Sequence, residues 1–143
     1  MGNFTIRHVC HLGEGGLGTV DEVEIMSGDA YRIGARFARK QLSPNWANDP
    51  GAQARFEREI ELLRTMNHPA IVKFKGQHIP GNVHYYLMPL YPRSMRKLLI
   101  DHNAPIARPW VVEFGIKVAS ALQHAHESNF SNRSPPGRLA YAA

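Results

Sequence analysis

Leu12-Gly13-Glu14-Gly15-Gly16-Leu17-Gly18-Thr19-Val20 constrains this chain more than any other stretch. Glycines at 13, 15 and 18 make a tight turn between two apolar runs, and Ala38-Arg39-Lys40 stands on the next run. Such a turn brings backbone N–H groups close to phosphates, and a nearby lysine neutralises them. The same glycine spacing opens dinucleotide-binding units, where a helix follows the turn. Here Val20-Asp21-Glu22-Val23-Glu24-Ile25 alternates apolar and polar, so a strand follows instead. The Gly-Lys-Ser/Thr ending of a P-loop is absent as well.

The remaining periodicity gives an element order. Residues 4–12 read as a strand through Phe4, Ile6, Val9 and Leu12, and 19–25 as a second. Ser27-Gly28-Asp29 turns, and 31–42 reads as a third strand. Residues 43–51 form a loop with Pro44 and Pro50. Over 52–66 the period changes: Phe56, Ile60, Leu63 and Met66 recur at helical spacing, and Asn67-His68-Pro69 stops the helix. Ile71 to Phe74 and Val83 to Met88 read as two further strands, separated by a turn at Gly81-Asn82. Ser94 is a plausible N-cap for a short helix to His102. A longer amphipathic helix spans 108–127, with Trp110, Phe114, Val118, Ala121, Leu122 and Ala125 on one face. Beyond it, Pro135-Pro136-Gly137 marks an irregular tail. The fold class is α+β: a five-stranded antiparallel sheet with one helix, followed by two helices.

Bulk properties exclude several classes. With 143 residues and 43% apolar content, this is one globular domain or part of one. No apolar run is long enough to span a membrane, and the N-terminus lacks a signal-peptide core. Myristoylation at Gly2 is rejected because position 6 is Ile. The single cysteine, Cys10, suits a reducing compartment, and the expected location is cytoplasmic. The net charge of +5 is scattered, without a dense basic block, so no specific nucleic-acid partner is expected. His124 and His126 do not share a helix face, and no metal site is expected there.

Lys40 needs a carboxylate to hold it, and Glu59 lies at the edge of the packed helix face. Taken alone, Glu59 reads as a surface residue of an Arg/Glu-rich helix. Taken with its neighbours, it completes an ordered set. That set comprises Leu12-Gly13-x-Gly15-x-x-Gly18-x-Val20, Ala38-x-Lys40, Phe56 to Leu63, His68-Pro69-Ala70-Ile71-Val72, Tyr85-Tyr86-Leu87-Met88, and Val118 to His126. It resembles the N-terminal half of a eukaryotic-type protein kinase domain of Ser/Thr type, from about Phe4 to His126.

The resemblance implies roles and boundaries. Residues 4–91 would be the ATP-binding N-lobe and hinge, 92–126 the start of a helical C-lobe, and 127–143 a divergent tail. Gly13, Gly15 and Gly18 would cover the ATP phosphates, and Lys40 would contact them while paired with Glu59. Leu12, Val20 and Ala38 would roof the adenine, with Met95 approaching from below. Met88 would be the gatekeeper, and Leu63 and Phe74 members of a stacked apolar spine. Adenine needs a carbonyl at Pro89 and an N–H at Tyr91, and proline loses only its N–H. Leu17, where an aromatic is common, would loosen the phosphate lid.

The resemblance also implies what is missing. The family's His-Arg-Asp triplet corresponds to Asn132-Arg133-Ser134, so Ser134 occupies the position of the catalytic base. The Asp residues are Asp21, Asp29, Asp49 and Asp101, so none follows Asp101. Mg²⁺ is expected for the family, but its aspartate ligand has no counterpart. A serine hydroxyl is not basic near pH 7, and loss of a positioned base alone costs about 10²–10⁴-fold. The expected molecule is an ATP-binding portion of a Ser/Thr kinase, truncated at the catalytic loop and inactive as it stands. The alternative is a natural short pseudokinase, a nucleotide-binding or kinase-interaction module. With most of a C-lobe absent, the long helix would expose its apolar face to a protein partner.

Overall fold

A computed structural model describes residues 4–78, 83–92, 94–102 and 105–131. Five antiparallel strands form one sheet in the order β1-β2-β3-β5-β4. They are β1 (Phe4–Glu14), β2 (Gly18–Gly28), β3 (Arg36–Leu42), β4 (Gly76–His78) and β5 (Tyr85–Pro89). The helices are α1 (Pro50–Thr65), α2 (Met95–Asp101) and α3 (Arg108–Ser131). Only Gly15, Gly16 and Leu17 separate β1 from β2, so the glycine turn is a hairpin connection. Gly18 must be glycine for a packing reason, because a Cβ there would overlap the Gln41 carbonyl oxygen of β3.

Period-two alternation divides the sheet into two faces. Val20, Ala38, Lys40, Leu42 and Tyr86 face α1, and α1 packs there through Ala52, Phe56 and Ile60, all buried. Leu17, Leu63, Phe74 and Met88 fill the edges of this cluster. The opposite face has its own apolar cluster of Val23, Ile25, Tyr85 and Leu87, covered by Phe4, Ile6, Tyr31 and Phe37. Asp49 caps α1 by accepting from the Ala52 N–H at 2.6 Å, with Pro50 at the first helical position. Ser94 caps α2 in the same way, accepting from the Lys97 N–H at 3.1 Å.

Four segments depart from the periodicity. The alternation predicts strand from Tyr31, but β3 starts at Arg36. Gly34, at φ 82°, turns the chain, and the Gly34 N–H and Ala35 C=O both bond to Ile25. Tyr31 is thereby turned inward, edge-on to Phe4 and Phe37, and its hydroxyl donates to the Lys75 carbonyl at 2.8 Å. The predicted strand at Ile71–Phe74 is irregular instead. Ile71 bonds back to His68, and ladder pairing starts only where Lys75 N–H meets the Leu87 carbonyl. Phe74 spends its side chain on the core beside Tyr86, with the Arg64 guanidinium 5.2 Å from its ring centroid. Leu17 packs into the α1 cluster, and its carbonyl accepts from Ser43 N–H at 3.0 Å, so it ties the glycine turn down rather than loosening it. Finally α3 continues through Ser131, past the Glu127 at which the amphipathic pattern fades. The turn predicted at Gly81-Asn82 and the tail with Arg133, Ser134 and Pro135-Pro136-Gly137 lie outside the described residues.

Asp21 is the buried acid of the sheet, 8% exposed. It hydrogen-bonds His11 Nδ1 and accepts from Arg39, each at 3.0 Å. Burial works to raise its carboxyl, but the bonds to His11 and Arg39 and the Arg39 charge outweigh it, holding Asp21 below its usual value. A lowered carboxyl stabilises the fold above the unfolded value of 3.8 and loses that contribution as pH falls through the folded value. We expect Asp21→Asn to cost about 1–3 kcal/mol in urea denaturation at pH 7. The gap to the wild type should close as pH falls below about 4. Phe56→Ala should cost about 3–5 kcal/mol by the same measurement.

Candidate nucleotide site

The register places the site residues side by side. Val20 pairs with Lys40, Ala38 pairs with Met88, and Lys40 pairs with Tyr86. These side chains therefore share the face of the sheet on which α1 lies. Phe56 and Ile60 bury the inner stripe of α1, and Glu59, one position before Ile60, is carried to the edge of that stripe. Lys40 Nζ donates to Glu59 Oε1 at 2.5 Å across 19 positions of sequence. The Tyr86 hydroxyl donates to the same oxygen at 2.7 Å. Burial pushes the Tyr86 phenol far above its ordinary range, and the Glu59 bond and charge push it further, so this hydroxyl stays a donor. Both partners of the ion pair keep partial access to solvent, at 21% for Lys40 and 33% for Glu59.

A cavity of about 700 Å³ opens beside this pair, between the sheet and α2. Leu12, Gly13, Val20 and Ala38 line it from the sheet, and Met88, Pro89 and Tyr91 from the connector. Gly15 and Gly18 close the hairpin above, with Gly15 N–H donating to the Gly18 carbonyl at 2.8 Å. They and Lys40 are not among the residues lining the cavity. Nor is Met95: the lower wall is Ser94, the cap of α2, with Lys97 and Ile100 on α2 itself. Glu14, Leu90 and Pro92 complete the lining. Ser94 carried a helix-cap signal in the sequence. Lys97 and Ile100 carried none, because their place depends on how α2 sits against the connector. The cavity offers a largely apolar slot between sheet and α2.

The family model for protein tyrosine and serine/threonine kinases matches residues 6–134. The chain belongs to the protein kinase family. It is 30% identical over 126 residues to "Probable serine/threonine-protein kinase SCO3848" of Streptomyces coelicolor, covering 85% of this chain and 18% of that protein. It is 29% identical over 127 residues to "Probable serine/threonine-protein kinase PknB" of Lactococcus lactis, covering 89% of this chain and 20% of that protein. The chain thus spans about a fifth of the length of these relatives. The crystal structure of the Mycobacterium tuberculosis PknI kinase domain superposes with a TM-score of 0.65 at 24% identity. The match covers 87% of this chain and 49% of that domain, and it concerns the fold.

Among the described residues no set of side chains fits a resident Mg²⁺, since no group of three or more His, Cys, Asp or Glu converges to hold a metal ion. No aspartate follows Asp101 in the sequence, and Ser134 lies outside the described residues. No helix among the described residues is long and apolar enough to cross a membrane. Cys10 donates to Glu22 at 3.6 Å, and desolvation, that bond and the Glu22 charge push its thiol upward, away from reactivity.

Tyr86→Phe removes one of the two donors on Glu59 Oε1 while keeping the ring beside Phe56. We expect a loss of about 0.5–1.5 kcal/mol in urea denaturation, since Lys40 still satisfies the carboxylate. Lys40→Met should cost more than Tyr86→Phe, because it leaves a half-buried carboxylate without its counter-charge.

Proposed function

We propose that this chain binds ATP in the cavity between the sheet and α2 and does not by itself transfer its phosphoryl group. The observation that carries the reading is the Lys40–Glu59 pair, closed at 2.5 Å beside an apolar slot lined by Leu12, Val20, Ala38 and Met88. The adenine would lie in that slot, taking a hydrogen bond from the Tyr91 N–H and donating one to the Pro89 carbonyl. Gly13, Gly15 and Gly18 would lie over the phosphates, and Lys40 would neutralise them. The family reaction is phosphoryl transfer to a protein hydroxyl, and the names of the relatives point to Ser and Thr acceptors. Mg²⁺ would accompany the nucleotide in that reaction, but among the described residues no group of three or more His, Cys, Asp or Glu converges to hold it.

With Ser134 at the position of the base, the chain as it stands acts as a nucleotide-binding part of a kinase or as a short pseudokinase. α3 exposes Trp110, Phe114, Val118 and Leu122 on one side and Val112 and Ile116 on another. At 100° per residue these are two separate stripes, more than one covering helix would bury. A protein partner, or further kinase sequence, would cover them. A free, exposed Cys10 fits a reducing compartment, and we place the chain in the cytoplasm.

Thermal denaturation with ATP or ADP, with and without Mg²⁺, tests the binding claim. Nucleotide at a hundredfold excess over its Kd should add about 2.7 kcal/mol to the wild type. Ala38→Phe, which fills the slot, should abolish the shift. Wild type without any shift would overturn the reading. Radiolabelled ATP should give no transfer to generic protein acceptors above a no-enzyme control, and transfer would overturn the claim of inactivity.

A further inference from the structure

Among the described residues lining the cavity, Glu14 and Lys97 carry charged side chains, and they stand on opposite walls. Glu14 ends β1 and pairs with Thr19 across the glycine hairpin. Lys97 lies on α2. Both side chains reach the rim, 78% and 63% exposed. Neither is held firmly. The His11 Nε2 is 4.0 Å from Glu14 Oε1, the outer limit of an ion pair. Lys97 Nζ donates to Asp101 Oδ1 at 2.8 Å, one turn along the same helix. An exposed pair of this kind is weak, and the flexible lysine stem gives it up for a better partner at small cost.

The hairpin has room to move. A Cβ added at Gly13 or Gly16 would meet no atom within 4 Å, and one at Gly15 only the Gly18 carbonyl oxygen, at 3.8 Å. The β2 side of the turn is fixed, because Leu17 is seated in the α1 cluster and its carbonyl accepts from Ser43. On the β1 side the ladder shifts register between His11 and Gly13, so the end of β1 is not locked to the run before it. Movement of the turn therefore falls to the strand end that carries Glu14.

A carboxylate beside a turn that covers phosphates repels them, and an ammonium group from the opposite wall offsets that repulsion. A ligand in the slot also displaces water from between the walls, and the attraction between the two charges rises as the local dielectric falls. We propose that Glu14 and Lys97 close as a clasp over a bound nucleotide, Lys97 leaving Asp101 for Glu14. The clasp deepens the ATP reading and rests on it. Its effect is on release, because it forms after the ligand has entered.

Stopped-flow release of N-methylanthraniloyl ADP from the whole chain is the test. We expect Glu14→Gln and Lys97→Met each to speed release about 2- to 5-fold, the range of an exposed ion pair. The double variant should go no further than either single one. Asp101→Asn removes the competitor for Lys97 and should slow release, whereas loss of a merely structural contact within α2 would speed it. Added salt should narrow the gap between wild type and Lys97→Met. Lys117→Ala, on the surface of α3, should match the wild type. Carbodiimide coupling, which joins a carboxylate to an amine in contact with it, should link Lys97 to Asp101 in the free chain and increasingly to Glu14 as ADP is added, as read by peptide mass spectrometry. Additive effects in the double variant, faster release in Asp101→Asn, or no Glu14–Lys97 link at saturating ADP would overturn the clasp. Nucleotide binding with unaltered release in Lys97→Met would overturn the clasp alone. A wild type that binds no fluorescent nucleotide would sink the ATP reading and the clasp with it.

Discussion

Everything at the candidate site depends on how α1 lies on the sheet. Phe56 and Ile60 exclude water from the face that carries Leu42 and Tyr86, and the area they bury holds the helix in one rotational setting. That setting brings Glu59 to Lys40. The ion pair itself contributes little to stability at its partial exposure. Its value lies in geometry, because the Lys40 ammonium is held by a carboxylate oxygen that the Tyr86 phenol fixes in turn. The hydrophobic contact sets the position and the polar contact uses it.

The same division runs through the rest of the sheet. On the outer face Asp21 is satisfied by His11 and Arg39, so a buried charge sits beside an apolar cluster without an open desolvation penalty. On the inner face Leu17 sinks into the α1 cluster, so the glycine turn is anchored at its tip. The helical part differs. α3 shows apolar residues on two sides, which a stable monomer of this size would ordinarily cover. The sheet and α1 form a complete packing unit, and α3 does not.

Much of the architecture was legible in the sequence. Val20, Val23 and Ile25 set among acidic residues gave β2, helical spacing of Phe56, Ile60 and Leu63 gave α1, and Ser94 gave the start of α2. Errors fell where a side chain had a long-range task. Ile71 to Phe74 is apolar enough for a strand, but Phe74 packs into the core and pairing starts later, at Lys75. Tyr31 reads as strand and is an inward plug behind the Gly34 turn. At the site, Leu12, Gly13, Val20, Ala38, Met88, Pro89 and Tyr91 were named through the resemblance, and all of them line the cavity. Lys97 and Ile100 were not, since only the seating of α2 brings them to the cavity.

The sequence by itself determined the family, the glycine hairpin and the absence of any aspartate beyond Asp101, because these are matters of residue identity and local spacing. It also named Lys40 and Glu59 as partners, though only through resemblance. The tertiary structure decided that they meet, that Tyr86 joins them on one carboxylate oxygen, and that His68 reaches Ser120. Those contacts span 19, 27 and 52 positions of chain. No local pattern encodes separations of that kind. The first two exist because burying Phe56 and Ile60 against the sheet, and pairing β3 with β5, brings Glu59, Lys40 and Tyr86 together.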